Sequence, residues 1–264
     1  MTISIASVAV SALGGHVVIG TRNHPGSQRV VWLHGLGGAA TTTFAEIIEH
    51  SALAATTAHL IDLPGHGQSD RPAEWSYTIE AMAEVAAQAI EAVARGPVAV
   101  VGHSMGGSVA IALAHRYPHL LRSLIVAEPN LDPGVGTISA HIARQLESRF
   151  VTHGFRALVH AMQNDRTGTH AASTWPDTLA EASPVALHRA STSLLAEREP
   201  TFRSMLEELA LPVMFIAGDQ TRPIESLLPA PPVEMVVIPE AGHEMWADNP
   251  NVFAETVARG ITAT

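Results

Sequence analysis

The chain has 264 residues, of which 47% are hydrophobic and 15% charged; this excludes a disordered chain and leaves room for one large domain or two small ones. A formal net charge of -10 argues against nucleic acid or an anionic membrane as partner and points to small, neutral ligands. Cysteine is absent, so disulfides, thiolate catalysis and cysteine-ligated metals are excluded.

Eight short runs rich in β-branched residues read as strands: Ile3 to Val10, His16 to Thr21, Val30 to Leu33, Ala58 to Asp62, Val98 to Val101, Ser123 to Ala127, Val213 to Ala217 and Val233 to Ile238. The first two alternate in polarity and are joined by Ala12-Leu13-Gly14-Gly15, which predicts an antiparallel hairpin at one sheet edge. The others are almost wholly apolar and separated by helix-like stretches, the pattern of parallel strands covered on both faces. Helices are expected over Thr43 to His50, Thr78 to Ala94, Ser108 to Tyr117 and Asn251 to about Gly260. Between Pro129 and Pro212 no strand is evident. Amphipathic stretches at Ile138 to Phe150, Phe155 to Met162 and Pro184 to Arg198 predict a helical lid over residues 131–207, inserted into a core made of 1–130 and 208–264. No apolar run approaches the roughly 18 residues of a bilayer span, and Met1 to Ile5 lacks the cationic stretch of a secretory signal, so a soluble, cytoplasmic protein is expected.

Gly102-His103-Ser104-Met105-Gly106 places a GxSxG motif directly after a buried strand and before a helix. A serine on so tight a turn sits in strained backbone with its hydroxyl raised above the sheet. Three further segments follow strands in order: His34-Gly35-Leu36-Gly37-Gly38, Asp62-Leu63-Pro64-Gly65-His66-Gly67-Gln68-Ser69-Asp70, and Ala241-Gly242-His243 with Asp248-Asn249-Pro250 behind it. In these four motifs the chain resembles the α/β-hydrolase fold family, over nearly every core element except the lid. The resemblance implies an α/β fold with an eight-stranded, mostly parallel sheet. It further implies Ser104 as nucleophile, His243 as base, and the backbone N–H groups of Leu36 and Met105 as oxyanion donors.

The acid departs from the family's commonest pattern. It usually follows the next-to-last strand in a G-D-x-D segment, and here Gly218-Asp219-Gln220-Thr221 puts threonine at the expected aspartate. A second family location follows the strand after the nucleophile helix, as in haloalkane dehalogenases and the zearalenone lactonase; there this chain has Glu128. A glutamate ending an apolar strand needs a partner, and a histidine would supply one. Glu128 is therefore the expected acid, with Asp219, Asp132 or a dispensable acid as alternatives; exposure at the sheet rim or an ion pair to a lid arginine such as Arg144 are the competing explanations for Glu128.

Gly35, His103, Trp175 and Trp246 are expected against the substrate, in an apolar cleft to which Met245 also contributes; Arg71 and Arg222 leave an anionic substrate open. The expected activity is hydrolysis of a small, largely apolar carboxylic ester or lactone through an acyl-enzyme. Other chemistry on the same fold (C–C bond hydrolysis, a lyase, cofactor-free oxygenation) and a ligand-binding receptor are the alternatives. No cofactor is called for, and no HExxH-like spacing offers a metal site. One sequence specifies no oligomer.

Overall fold

The computed structural model describes residues 2–25, 27–134, 136–164, 173–221 and 232–263. Arg222 lies outside the described residues. All eight expected strands are present: β1 (Ser4–Val10), β2 (Gly15–Arg22), β3 (Gln28–Leu33), β4 (Thr56–Ile61), β5 (Val98–His103), β6 (Leu121–Ala127), β7 (Val213–Gly218) and β8 (Glu234–Ile238). They form one sheet in the order β1-β2-β4-β3-β5-β6-β7-β8. The hairpin β1–β2 and the pair β2–β4 are antiparallel, and every other pairing is parallel.

The period of two along the parallel strands divides the interior into two cores. Val31, Leu33, Val98, Val100, Leu124, Val126, Val213 and Phe215 face one side, together with the helices α2 (Ile79–Val93) and α3 (Met105–Arg116). Val30, Trp32, Ala99, Val101, Ile125, Ala127, Met214 and Ile216 face the other, together with Phe44, Ile47, Ile48 and the closing helix α11 (Pro250–Thr262). In this second core Phe44 links Trp32 to Trp246, with ring centroids 5.1 and 5.2 Å apart.

Helix ends follow capping chemistry. Thr78 Oγ1 accepts from Ala81 N at 3.2 Å to start α2, and Asn249 Oδ1 accepts from Val252 N at 3.4 Å ahead of Pro250 to start α11. Two helices expected from the sequence are broken. Thr43 to His50 is instead a short α1 (Ala40–Thr43) followed by one 3₁₀ turn, Ile47–Glu49. The Asp62 carboxylate accepts from Thr41 N and Oγ1 in the first turn of α1, which fixes the start of the helix ahead of the expected one. Ile138 to Phe150 splits into α4 (Thr137–Ala143) and α5 (Glu147–Arg149), which runs into a π turn, Phe150–Gly154. The break frees the Gln145 carbonyl to accept from His188 Nε2 at 2.7 Å and lets Glu147 receive Arg189 in a two-pronged pair.

The described residues between β6 and β7 contain no strand. They continue through α6 (Phe155–Asn164), α7 (Trp175–Glu181), α8 (Pro184–Leu195) and α9 (Phe202–Glu207), and α10 (Met245–Asp248) precedes the closing helix. Hydrogen bonds fasten α7 and α8 to core loops. Ser183 N donates to Gly65 O at 2.8 Å, Arg71 donates to Glu181 O and Gly67 O, and Arg189 donates to Ala73 O and Trp75 O at 2.7 and 2.8 Å.

The elbow between β5 and α3 closes on glycine. A Cβ on Gly106 would press into the carbonyl oxygens of Leu33 and His34, and one on Gly102 would lie 2.8 Å from Gly107 Cα. Glycine to alanine near a helix start ordinarily stabilises slightly. Gly106→Ala should do the reverse, costing about 1–3 kcal/mol or more by overpacking and lowering the thermal midpoint by several degrees in a melting experiment.

Candidate active site

The site lies beyond the carboxyl ends of the parallel strands, where this architecture leaves a crevice. Ser104 has φ +52°, an unusual conformation for a residue with a side chain, and its N–H donates to Ala127 O at 2.9 Å on the neighbouring strand. Its carbonyl accepts from Gly107 N and Ser108 N, which launches α3 directly from the elbow. Among the described residues Ser104 Oγ has no hydrogen-bond partner.

Glu128 follows β6 with φ +45°, and its side chain is 4% exposed. Its carboxylate is fully engaged: Oε1 accepts from Gly218 N at 2.9 Å, and Oε2 accepts from His243 Nδ1 at 2.6 Å. An ionised carboxylate can only accept, so Nδ1 of His243 is the donor in this bond, and in the neutral form of the ring Nε2 is the acceptor. The His243 side chain is 43% exposed, whereas the carboxylate it bonds is buried. Arg144 takes no part in this pairing. The other candidate acids are committed elsewhere. Asp219 Oδ1 accepts from Ala241 N at 3.1 Å within the turn, and Asp132 receives Arg203 Nε and an Arg203 terminal nitrogen at 3.0 and 2.7 Å.

Leu36 and Met105 bring their amides to the same end of the sheet, and among the described residues neither N–H has an acceptor. Gly35 O, on the peptide that carries the Leu36 N–H, accepts from His34 Nδ1 at 2.7 Å and Gly38 N at 3.0 Å. A trans peptide points its N–H opposite to its C=O, so holding Gly35 O aims the Leu36 N–H. His34 is itself fixed, because its Nε2 accepts from Leu63 N at 2.9 Å. The next carbonyl, Leu36 O, accepts from Trp175 Nε1 at 2.7 Å.

Of the four residues expected to touch substrate, two have other roles. His103 is buried with Nε2 donating to His243 O at 3.0 Å, and its ring centroid lies 4.5 Å from those of both His243 and Trp246. It is a spacer between the elbow and the histidine loop. Trp246 fills the second core against Phe44, Phe253 and His103, and Met245 is fully buried beside it. Both are corrections: residues adjacent to a motif on a tight turn point away from it. Gly35 is packed on the elbow, where a Cβ would stand 2.9 Å from His103 Nδ1 and 3.2 Å from Ser104 Cβ. Trp175 alone of the four stands above the motifs, and it holds the Leu36 loop.

The family profile described as "Alpha/beta hydrolase family" matches residues 30–256. The chain belongs to the α/β-hydrolase family. It is 28% identical over 224 residues to the pimeloyl-[acyl-carrier protein] methyl ester esterase of Aeromonas hydrophila, covering 75% of this chain and 82% of the relative. Among solved structures, a thermophilic esterase from Thermogutta terrifontis matches with a TM-score of 0.78 at 22% identity, over 97% of both chains. The N-acyl homoserine lactonase AidH, complexed with N-butanoyl homoserine, matches with a TM-score of 0.77 at 20% identity, over 97% of this chain and 96% of that one.

In this α/β hydrolase the Asp62 to Asp70 segment serves as scaffold. Ser69 Oγ donates to Asp62 O at 2.6 Å while accepting from Val18 N at 2.7 Å, and Asp62 holds Thr41 and Gln68 N. Two donors have no signal in the sequence: the Gly218 N–H on Glu128, and Trp175 Nε1 on Leu36 O. Both are contacts between distant segments with no local pattern. Asp248 Oδ2, which accepts from Gly242 N at 2.8 Å, is legible as the tail of the histidine motif. No described helix is long and apolar enough to cross a membrane.

Burial sets the charge state of the surrounding imidazoles. Loss of hydration pushes His34 and His59 down to about 4 and His66 to about 3, from an ordinary value near 6.5. The same cause, with repulsion from His243, takes His103 well below that value. Below pH 6.5 the unfolded chain therefore binds protons that the folded chain does not, so stability falls as pH drops from about 6.5 toward 4. Asp62, whose carboxyl burial pushes up, works in the opposite sense near the bottom of that window and offsets part of the loss. Urea unfolding followed from pH 7.5 to 5 should show a falling midpoint with net uptake of more than one proton on unfolding; a flat profile would contradict the neutral buried histidines.

Proposed function

We propose that the protein is a serine hydrolase of small, largely apolar carboxylic esters or lactones, with Ser104 as nucleophile, His243 as general base and Glu128 as the triad acid. The observation that carries this reading is the 2.6 Å bond from His243 Nδ1 to a buried carboxylate, which in the neutral ring leaves Nε2 as the free acceptor, with the elbow beside it through the His103–His243 ring contact. The esterase and lactonase likenesses support the bond type. In unliganded enzymes the hydrogen bond between nucleophile and base commonly tightens only when substrate is bound, so an unpartnered Ser104 Oγ fits this role.

In the reaction Ser104 Oγ attacks the substrate carbonyl carbon while His243 Nε2 takes its proton. The oxyanion is received by the Leu36 and Met105 N–H groups, the second reinforced by the positive end of α3. Collapse expels the alcohol, which leaves with the proton from His243, and an acyl-Ser104 ester remains. Water activated by His243 then attacks this ester and regenerates Ser104. For a lactone, the alcohol and the acid are two ends of one product. Glu128 stays ionised throughout and stabilises the imidazolium. Within this reading residues 131–207 act as the lid, and Arg71 is engaged by the Glu181 and Gly67 carbonyls, which favours a neutral substrate.

Phenylmethylsulfonyl fluoride should label Ser104, as read by mass spectrometry of the digested protein, and p-nitrophenyl esters and aryl lactones should turn over at rates that Ser104→Ala abolishes. A wild-type rate no better than that of Ser104→Ala would favour a binding protein on a hydrolase scaffold. Glu128→Gln should lower kcat by roughly up to 10⁴, as expected for removal of a triad acid. Asp219→Asn should leave kcat within a few-fold, and the reverse pattern would assign the acid to Asp219.

A further inference from the structure

We propose that Trp175 is a positioning residue for the oxyanion hole: its indole N–H holds the Leu36 carbonyl and so fixes the loop that presents the Leu36 amide. This rests on the hydrolase reading above and adds to it a residue from the helical segment between β6 and β7.

The loop after β3 has two peptides on either side of Leu36, and each is restrained through its carbonyl. The first is held by His34 Nδ1 and Gly38 N, both from the loop's own motif. The second is held by Trp175 Nε1, 139 residues away in sequence, at 2.7 Å. Fixing both peptide planes sets φ and ψ of Leu36 together. Without the second restraint the Leu36–Gly37 peptide can rotate, and Gly37, at φ +76°, has no Cβ to resist it.

The indole is itself well placed. Ser173 Oγ accepts from Trp175 N at 3.0 Å, and Thr178 Oγ1 donates to Trp175 O at 3.1 Å, which anchors the first turn of α7. The same helix covers the loop from above. A Cβ on Gly37 would stand 2.7 Å from Leu179 Cδ1 and 3.1 Å from Trp175 Nε1, so only glycine lets α7 come this close. Leu179 is fully buried in that contact. The indole N–H to carbonyl bond is partly buried, so solvent competes with it less than at an exposed site. Tryptophan chemistry suits this role, because the ring packs on apolar surface while its single donor reaches a polar partner.

Trp175→Phe keeps an aromatic ring and deletes the donor. Three readouts test it: deuterium exchange of the peptide covering residues 34–39, kcat and KM on p-nitrophenyl butyrate, and the inhibition constant of a butyl boronic acid, which mimics the tetrahedral oxyanion. The expected result is faster exchange at 34–39, kcat reduced about tenfold with KM changed less than about twofold, and boronate affinity reduced in parallel with kcat. The drop in kcat is smaller than loss of a whole oxyanion donor because the amide is displaced and not removed. The thermal midpoint separates this from a folding defect, and Trp175→His, which keeps an N–H donor, should recover part of kcat. Unchanged exchange at 34–39 would overturn the restraint. Faster exchange with unchanged kcat and boronate affinity would overturn its role in the oxyanion hole. A raised KM with unchanged kcat would overturn it as well, and make Trp175 a substrate contact. If the wild-type protein turns over no ester, the hydrolase reading fails, and the exchange arm alone decides whether Trp175 holds the loop.

Discussion

Everything at the carboxyl end of this sheet depends on how closely three backbone segments approach one another. The β3 loop, the elbow and the β6 end meet with carbonyl oxygens and α-carbons where side chains would normally stand, and Gly35, Gly102 and Gly106 make this possible. Close approach puts the Ser104 N–H on Ala127 O, and among the described residues the Leu36 and Met105 amides at the same end of the sheet have no acceptor. Donors fixed in this way need not reorganise when charge develops, which is the main source of transition-state stabilisation in such sites. The strained backbone at Ser104 and Glu128 is sustained by the flanking strands.

A second layer of control is electrical. Several imidazoles are buried beneath the site, and burial keeps His34, His66 and His103 uncharged. Because a neutral ring has one donor and one acceptor, each can be directed by its neighbours: His34 takes Leu63 N–H and gives to Gly35 O, and His103 gives to His243 O. The ionised Glu128 therefore acts on His243 without a competing cation on those three rings. A charged residue in their place would compete for the carboxylate or shift the loops.

The strands are legible in the sequence because apolar runs of four to eight residues bounded by turns have few other readings, and the two-core alternation follows from the pleat. The motifs can be placed because each follows a strand end. The Glu128–His243 pairing is legible from an absence: Thr221 occupies the family's usual acid position, and a glutamate at the end of β6 needs a partner. Less can be read where one segment is completed by another. The break at Gln145 depends on His188 from α8, and the start of α1 depends on Asp62. His103 and Trp246 read as substrate contacts because a linear motif gives no direction for its flanking side chains. The φ of +52° at Ser104 sends the serine up and leaves its predecessor below. Trp175 stands out as an aromatic residue in the helical segment, while its partner, a backbone carbonyl, has no signature in sequence at all.

The position of Glu128 has a mechanical consequence. β5, β6 and β7 are consecutive in the sheet, and Glu128 bonds to the end of β7 through Gly218 N while the elbow bonds to the end of β6 through Ala127 O. Ser104, Glu128 and the turn beneath His243 are thus braced crosswise, strand to strand, like rungs continued past the sheet's edge. An acid carried on the β7–β8 connection would ride on that connection's own motion. Here Glu128, whose carboxylate bonds His243, is tied to β7 through Ile216 O and Gly218 N, so its position follows the sheet, while Asp219 and Gln220 on the connection bond Ala241 instead.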